Sequence, residues 1–588
     1  MMHQPAKPLK NGVRTLLRLL PYWRAQWHFL LLVFLCSSVG VAVTIISPII
    51  IGHAIDSCVE TSSVTSELFR YLAVLAVIYV MALFAGWAQD FLMTKASQRV
   101  VAAIRSQMMS HLLTLDVAYF DTHSRGDIMS RFSNDAEMIR DGMGQTLVHM
   151  LTTVISMIAM IVVMLQMSVT LTLLTCLGVP LVILMSRLVI SRSHRLFTAQ
   201  QVATGNLNSV IEESIGGLKT IRSLRATSIW ESKFSCVNAE VREVGTHAQV
   251  NSGLLMPLLR LLDNITYMLV AVAGGVMAIN GTVTVGVIQS FLLYTRQFLR
   301  PVNMAAAQIN SLQSALAGAE RIFELLDTHP DILSSSSISN PTATVHGDVI
   351  FDHVSFSYIP GQPALTDVSL HVHPGQVVAI VGGTGAGKTT MVNLLARFYD
   401  VTSGRILIDN KDIRQYDLPY LRQQMAIVLQ ESTLFSDTVA YNISYGDTSR
   451  NSIPHVAQSA RQAMADSFIS RLPHTYLEPI STDSTLSDGQ RQLLTIARAI
   501  HSNAPILILD EATSNVDTHT ETMLQHAISN LTDGRTCFII AHRLSTIRQA
   551  DLILVLDNGH IVESGTHTQL LHLNGTYKSL FDSQFADS

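Results

Sequence analysis

The sequence predicts an α-helical membrane domain, with six transmembrane helices and long cytoplasmic helical extensions, followed by an α/β P-loop domain. Three observations predict it. Long apolar runs are confined to the stretch before about residue 320. A polar linker follows, Thr328-His329-Pro330-Asp331, Ser334 to Ser337 and Asn340-Pro341. Beyond it, the glycine-rich octapeptide Gly382-Gly383-Thr384-Gly385-Ala386-Gly387-Lys388-Thr389 lies between an apolar strand pattern and a helical one. Composition agrees. Hydrophobic residues make up 48% of the 588 and charged residues only 14%, below the usual quarter, and the shortfall falls on the first part. The length corresponds to about three to four domain-sized units. A net charge of −5 gives no basic surface, so no nucleic acid is expected as a partner.

Taken in order, the chain opens with Lys7, Lys10, Arg14, Arg18 and Arg24 interrupting Leu16, Leu17, Leu19, Leu20 and Trp23. That pattern predicts an amphipathic helix on the membrane surface rather than a signal peptide. Six apolar runs follow, at about Trp27–Ile51, Tyr71–Leu92, Leu147–Met167, Val169–Ile190, Leu254–Ile279 and Val285–Ala306. Each is near the roughly twenty residues that a bilayer requires. Lys and Arg crowd the segment before the first run and those after the second and fourth. The opposite loops, around Cys58 to Ser66, Gln166 to Ser168 and Asn280 to Thr284, have none. The positive-inside rule therefore predicts a multi-pass protein of the cell membrane with both termini cytoplasmic. Membrane lipids are its surroundings.

The two long cytoplasmic segments keep a helical period out of the membrane, turn, and return. Their turns fall at Tyr119-Phe120-Asp121 to Asp135 and at Ser223-Leu224-Arg225-Ala226-Thr227. Such stalks can press on a cytosolic domain. Within the spans, Arg260 and Asp263 are three apart, so they share a helix face and could pair. Arg296 and Arg300 suggest a polar pathway, the competing reading being interhelical pairing or a position nearer the interface. Tyr267, Met268, Phe291, Tyr294 and Phe298 could line a greasy pocket, although such residues are more often lipid-facing or packed. Cys36, Cys58, Cys176, Cys236 and Cys537 are scattered without a C-x-x-C pair, so no metal or redox motif is expected from them. The expected boundaries are 1–26 for the amphipathic elbow, 27–326 for the membrane domain, 327–344 for the linker and 345–588 for the P-loop domain.

The octapeptide carries the chemistry. Glycines let the backbone turn its N–H groups toward phosphate oxygens, and the helix that follows adds its positive end. Gly382, Gly383, Thr384, Gly385, Ala386, Gly387, Lys388, Thr389 and Thr390 are thus the expected phosphate cradle. Lys388 can reach the β- and γ-phosphates, and Thr389 can offer a hydroxyl to Mg²⁺. Tyr358, 24 residues before the loop, is placed to stack on a base. Gln430 ends an apolar strand, Ile427-Val428-Leu429. Leu486-Ser487-Asp488-Gly489-Gln490 opens a helix, with Ser487 and Gln490 at capping-box spacing. Ile506-Leu507-Ile508-Leu509 reads as a buried strand ending at Asp510, which can hold Mg²⁺ through water. Glu511 is placed as general base for the attacking water. Ser514-Asn515-Val516-Asp517 follows, and Cys537 to Ala541 is a strand leading to His542, a candidate γ-phosphate sensor.

The ordered series Tyr358, GGTGAGKT, Gln430, LSDGQRQ, ILILDE, SNVD and His542 resembles the nucleotide-binding domain of ABC transporters, an α/β P-loop ATPase domain. LSDGQRQ is the discriminating piece. With six spans and long intracellular helices, the chain resembles the ABC exporter half-transporters of the multidrug and lipid export type, over about Val13 to Phe581. The resemblance implies ATP and Mg²⁺ as cofactors, a small amphipathic substrate, and a second half-transporter as partner. It implies that each ATP lies between one half's P-loop and the other half's signature helix. On it, Tyr358 stacks adenine, Thr389 and Gln430 touch Mg²⁺, and His542 holds the γ-phosphate. Ser514 to Asp517 is the D-loop, and the turns near Phe120–Arg131 and Leu224–Thr227 are coupling helices.

One departure is informative. The family signature is usually Leu-Ser-Gly-Gly-Gln, and here Asp488 stands third. A carboxylate about 4 Å from a γ-phosphate charge costs about 4 kcal/mol at an effective dielectric of about 20. The preceding Ser481 to Thr485 also lacks the family's glycine and glutamate pattern. An intact loop, Asp510, Glu511 and His542 beside an altered signature imply one half of a heterodimer, whose non-identical partner has the intact signature and lacks the catalytic glutamate. A homodimer in which Asp488 points away is the competing assembly. The same fold could also serve ATP-driven import, or an ATP-gated channel or regulatory subunit, in place of export.

Overall fold

The computed structural model describes residues 12–61, 66–330, 345–430, 432–446, 452–481, 486–510, 518–541 and 544–585. The chain forms two compact units. One comprises residues 1–114 and 123–329, and the other residues 115–122 together with 330–588.

The first unit is helical because its apolar residues recur over runs too long for strands. It holds α1 (Gly12–Arg24), α2 (Trp27–Thr61) and α3 (Ser66–Leu112). After α4 (Val117–Thr122), which belongs to the second unit, it resumes with the short α5 (Arg125–Ser130) and α6 (Ala136–Ile139). The long helices α7 (Leu147–Met167) and α8 (Val169–Gly216) follow, then the six-residue α9 (Leu218–Ser223), α10 (Thr227–Gly253), α11 (Leu255–Ile279) and α12 (Val285–Asp327). Among the described residues, five helical stretches are long and apolar enough to cross a membrane. The predicted sixth span lies in α12, 43 residues long, whose apolar character is diluted by Gln289, Arg296, Gln297 and Arg300. At 47 and 48 residues, α3 and α8 extend about 70 Å at 1.5 Å per residue, more than twice the roughly 30 Å hydrocarbon layer. Their excess length is the stalk.

Close crossings use small residues. A Cβ on Gly52 of α2 would lie 2.4 Å from Ser290 Oγ and 2.7 Å from the Gly286 carbonyl of α12. Asp56 accepts bonds there from the Gly286 N–H and the Thr284 hydroxyl, both at 2.7 Å. In the stalks, buried Asp135 pairs with Arg321 of α12, whose Nε donates at 2.8 Å. Arg131 donates to Asp127 at 2.9 Å and to the Arg321 carbonyl at 3.1 Å.

One possibility raised for the spans is not realised. Arg260 is exposed, while Asp263 is turned inward and its buried Oδ1 has no hydrogen-bond partner, so the two form no ion pair. Helical spacing placed them on neighbouring positions but did not fix which side each faces. Arg296 instead stacks over the Tyr267 ring, 4.6 Å from its centroid. Phe291, Tyr294 and Phe298 are packed core with Met160, Met164, Leu171 and Val270, and Met268 is exposed.

The second unit is α/β. A four-stranded antiparallel sheet runs in the order β2-β1-β4-β5, with β1 Val349–Phe356, β2 Leu365–Val372, β4 Ser403–Ile408 and β5 Lys411–Asp412. A six-stranded sheet runs β10-β9-β3-β8-β7-β6. Here β3 is Val377–Gly382, β6 Met425–Val428, β7 Ile506–Asp510, β8 Thr536–Ile540, β9 Leu552–Asp557 and β10 His560–Gly565. All neighbours in it are parallel except β10. Its central strands read as unbroken apolar runs because both faces are covered. Val378, Ala379, Ile380 and Leu507 are fully buried.

Candidate nucleotide site

The site lies at the carboxyl ends of the parallel strands, where open α/β sheets bind ligands. Strand β3 ends at Gly382, the loop turns, and α13 (Lys388–Leu395) begins. That helix is anchored by Met391, Val392, Leu394 and Leu395, all buried, so its N-terminus is fixed in direction. The buried Thr390 side chain also faces the core, whereas Thr389 is exposed at the mouth. Gly387 caps the helix in the left-handed region at φ 103°. A Cβ there would meet Leu365 Cδ2 at 2.7 Å and the Ala364 carbonyl at 2.8 Å, so both conformation and space demand glycine. Gly383, Thr384 and Gly385 are exposed and Ala386 is buried.

Lys388 Nζ donates to the Gly382 and Gly383 carbonyls, each at 2.8 Å. Burial lowers its pKa below that of free lysine, while the Asp510 carboxylate acts in the opposite sense. Strand register explains why they feel each other. Asp510 pairs with Ile540, and Ile540 with Ile380, in one row across β7, β8 and β3. The cavity beside the loop, about 150 Å³, is bounded by Gly382, Gly383, Thr384 and Lys388 on one side and by Tyr577 and Phe581 on the other. Those aromatics come from the helix Thr576–Phe585, far along the chain from the motifs, and no local pattern marked them.

Gln430 is exposed, two residues beyond the end of β6. Thr389, Gln430 and Asp510 offer only oxygen ligands, the donor set that Mg²⁺ takes, so these residues suit it chemically. Tyr358 lies just past β1, 46% exposed. Its ring is held edge-on by Phe356 and Tyr399, with centroids 4.8 and 5.0 Å away. Glu511, Ser514, Asn515, Val516, Asp517 and His542 lie outside the described residues.

The signature stretch opens the helix Asp488–Ser502. Its capping box is formed: the Gln490 N–H donates to Ser487 Oγ at 3.3 Å, and the Ser487 N–H to Gln490 Oε1 at 3.1 Å. Leu486 packs partly against the core, Gly489 is buried, and Asp488 is exposed in the first turn. None of these five residues lines the cavity beside the P-loop. The P-loop helix α13 packs with Ile506, Ile508, Phe538 and Ile540 on one face of the six-stranded sheet, and the signature helix packs with Leu507, Leu509, Cys537 and Ile539 on the other.

A residue pair beyond the expected motifs ties the P-loop domain to α4, within the second unit. Tyr399, after α13, donates its hydroxyl proton to the Asp121 carboxylate of α4. Burial first, and then the bond to Asp121, hold the Tyr399 pKa well above that of a free phenol. Arg422 lies over the Phe398 ring, 5.4 Å from its centroid. Its pKa is lowered by burial and raised by Asp116 beside α4. Tyr358, Tyr399 and Asp121 thus form a continuous set of contacts from the base-stacking candidate to α4.

Residues 30–302 match the family model for the ABC transporter transmembrane region, and residues 365–514 match the ABC transporter model. The chain is 39% identical to an uncharacterized ABC transporter ATP-binding protein, YfiC, of Bacillus subtilis, over 98% of this chain and 95% of that one. It is 41% identical to a fatty acid ABC transporter ATP-binding/permease protein of Mycobacterium bovis, over 86% of this chain and 80% of that one. A solved bacterial Atm1-family ABC exporter with ATP bound matches its structure with a TM-score of 0.75 and 28% identity, covering 95% of this chain and 98% of that one. Homology along almost the whole length, over both a helical membrane region and a P-loop domain, shows that the chain belongs to the ABC transporter family as an exporter-type half-transporter, a multi-pass membrane protein coupling ATP hydrolysis to transport.

Proposed function

We propose that the chain exports amphipathic, lipid-like molecules across the cell membrane by alternating access, as one half of a pair with a non-identical half-transporter. Both termini and the ATPase domain are cytoplasmic. The elbow occupies residues 1–26, the membrane domain 27–326, the linker 327–344 and the ATPase domain 345–588. Tyr358 stacks the adenine, and Gly382 to Thr390 hold the phosphates. Thr389 and Gln430, with Asp510 acting through water, would hold Mg²⁺. Glu511 would activate the attacking water, His542 would serve as the γ-phosphate sensor, and Ser514 to Asp517 are the D-loop of the family.

The observation that carries this reading is that the helix after Lys388's loop and the Ser487-capped helix pack on opposite faces of the sheet. A site built from those two parts needs a second chain. Asp488 argues that the second chain differs. The helix N-terminus presents its positive end to a phosphate, and the Asp488 carboxylate in the first turn neutralises that field. A homodimer is the second reading, because an exposed acid in a first turn is locally at home. The mycobacterial relative's substrate supports lipid-like cargo, and the Atm1-family neighbour supports outward transport.

Inside-out membrane vesicles containing the chain and its partner test the reading. A fluorescent long-chain fatty acid should accumulate inside on addition of ATP with wild type and not with Glu511→Gln. ATP-driven loss from preloaded vesicles would show import instead, and an ATP-dependent conductance without accumulation would show a gated channel.

A further inference from the structure

We propose that Asp348, His371 and His373 form a binding site for a divalent transition-metal ion of the zinc class, on the antiparallel sheet of the ATPase unit. One imidazole nitrogen from each histidine and one carboxylate oxygen all lie within 4.8 Å of one another. His371 Nε2 is 2.9 Å and His373 Nδ1 is 3.8 Å from Asp348 Oδ1. The two imidazoles lie side by side, with centroids 4.3 Å apart and planes inclined at 56°.

Strand geometry assembles the cluster. Val372 of β2 is fully buried, so His371 and His373 on either side of it share the outward face. Val372 pairs with Val349, also fully buried. Asp348, one residue before Val349, therefore emerges on the face that the histidines occupy. The ligands come from two chain segments 23 residues apart, and only the β1–β2 register brings them together.

The backbone beneath is fixed on both sides. The Asp409 carboxylate accepts from the N–H groups of His346, Gly347 and Asp348, at 2.7, 3.2 and 3.0 Å. The Thr536 hydroxyl donates to the Gly347 carbonyl at 2.8 Å and accepts from the Gly375 N–H at 3.1 Å. The His373 N–H donates to Gln376 Oε1 at 3.1 Å. A fixed backbone carrying three convergent side chains is what a metal site requires. The side chains keep freedom to close: Asp348, His371 and His373 are 21%, 47% and 68% exposed. Ligand atoms about 2.0–2.2 Å from a tetrahedral ion stand roughly 3.3 Å apart, so small side-chain rotations complete the set. Two imidazoles and one carboxylate suit zinc, nickel or copper rather than Mg²⁺ or Ca²⁺. Three protein ligands leave a fourth position for water.

His353 and Asp367, on the same strand pair, make the contrast. They bond at 2.6 Å on the solvent face, an ordinary imidazole–carboxylate pair with no third ligand among the described residues. The bound ion clips the end of β2 to the start of β1. The chain then runs from His373 directly into β3, the strand that carries the P-loop at its other end.

The test uses the full chain in lipid nanodiscs, freed of any histidine tag and stripped with EDTA. Calorimetric titration with Zn²⁺ should find one micromolar site. His371→Ala, His373→Ala and Asp348→Asn should each weaken it more than about tenfold, since loss of even an outer-shell partner commonly costs that much. His353→Ala should leave it unchanged. Co²⁺ should give a visible absorption band in wild type that is absent in the double histidine variant. Zn²⁺ should raise the melting temperature of wild type and not of that variant, while the metal-free proteins melt alike and bind ATP alike. Equal Zn²⁺ affinity and stoichiometry in wild type and double variant would overturn the proposal, as would the absence of any site tighter than millimolar in wild type.

Discussion

Removing the hydroxyl of Tyr399 should loosen α4 without disturbing the nucleotide cradle. A hydrogen bond to a charged group contributes about 1.5–3 kcal/mol when well shielded. Here Asp121 is exposed and Tyr399 only partly buried, so solvent competition reduces the value to about 1 kcal/mol. That corresponds to roughly a fivefold change in the local opening equilibrium. Tyr399→Phe keeps the ring that packs edge-on against Tyr358 at 5.0 Å, so the change isolates the hydroxyl. Asp121→Asn removes the charge from the other side. Hydrogen exchange followed by mass spectrometry reads the opening of residues 117–122 directly. Each single variant should exchange there about five times faster than wild type, and the double variant no faster than the singles. ATP binding should stay within about twofold. Transport per ATP hydrolysed should fall in all three variants, because α4 then follows the ATPase domain less faithfully. Multiplying effects in the double variant would show that the two groups act independently. Unchanged exchange in Tyr399→Phe would refute the bond's role.

Further outcomes follow from the same geometry. Gly387→Ala must hold φ 103° and a Cβ 2.8 Å from the Ala364 carbonyl. It should cost about 1–3 kcal/mol by overpacking alone and abolish binding of a fluorescent ATP analogue. Because burial lowers the Lys388 pKa, the unfolded chain binds more protons between the folded pKa and the ordinary value of about 10.4. This group's contribution to stability therefore rises with pH across that window, and its burial penalty is fully present below the folded pKa. Triphosphate reverses the shift, so ATP binding at a pH within that window should take up protons, read as a dependence of calorimetric heat on buffer ionisation enthalpy. The absence of uptake would contradict it. Arg18 holds Asp327 through bonds of 2.6 and 2.7 Å and lowers the Asp327 pKa. That contribution is present above the ordinary aspartate range and lost as pH falls through the folded pKa. With 37% and 58% exposure, Arg18→Ala should cost no more than about 1 kcal/mol at neutral pH, a small shift in thermal midpoint that disappears in acid.

What was legible in the sequence was local. The strand, loop and helix around Lys388 and the Ser487–Gln490 capping box are written in consecutive residues, because each depends on backbone conformation and near-neighbour bonds. Long spans were legible because lipid leaves the backbone few choices. Facing and register were not. Arg260 and Asp263 have the spacing of a pair, yet one is exposed and the other turned inward, since bundle packing decides rotation. Phe291, Tyr294 and Phe298 could be read as pocket, lipid-facing or packed residues, and only the helices opposite them decide that they pack as core. Tyr399 and Asp121 are 278 residues apart, and nothing in either neighbourhood names the other. Tyr577 and Phe581 meet the P-loop only because the last helix folds back along the sheet. Asp348 needs the pairing of Val349 with Val372 before it meets His371 and His373.

ATP turnover by the chain alone in nanodiscs tests most directly whether it carries a productive P-loop beside an impaired signature. A carboxylate near the γ-phosphate costs up to about 4 kcal/mol. The chain alone should therefore hydrolyse ATP slowly, Asp488→Gly should raise the rate at least tenfold, and Glu511→Gln should abolish the gain. Brisk hydrolysis by the unaltered chain, lost in Glu511→Gln and indifferent to Asp488→Gly, would contradict the account and make the protein a competent homodimer.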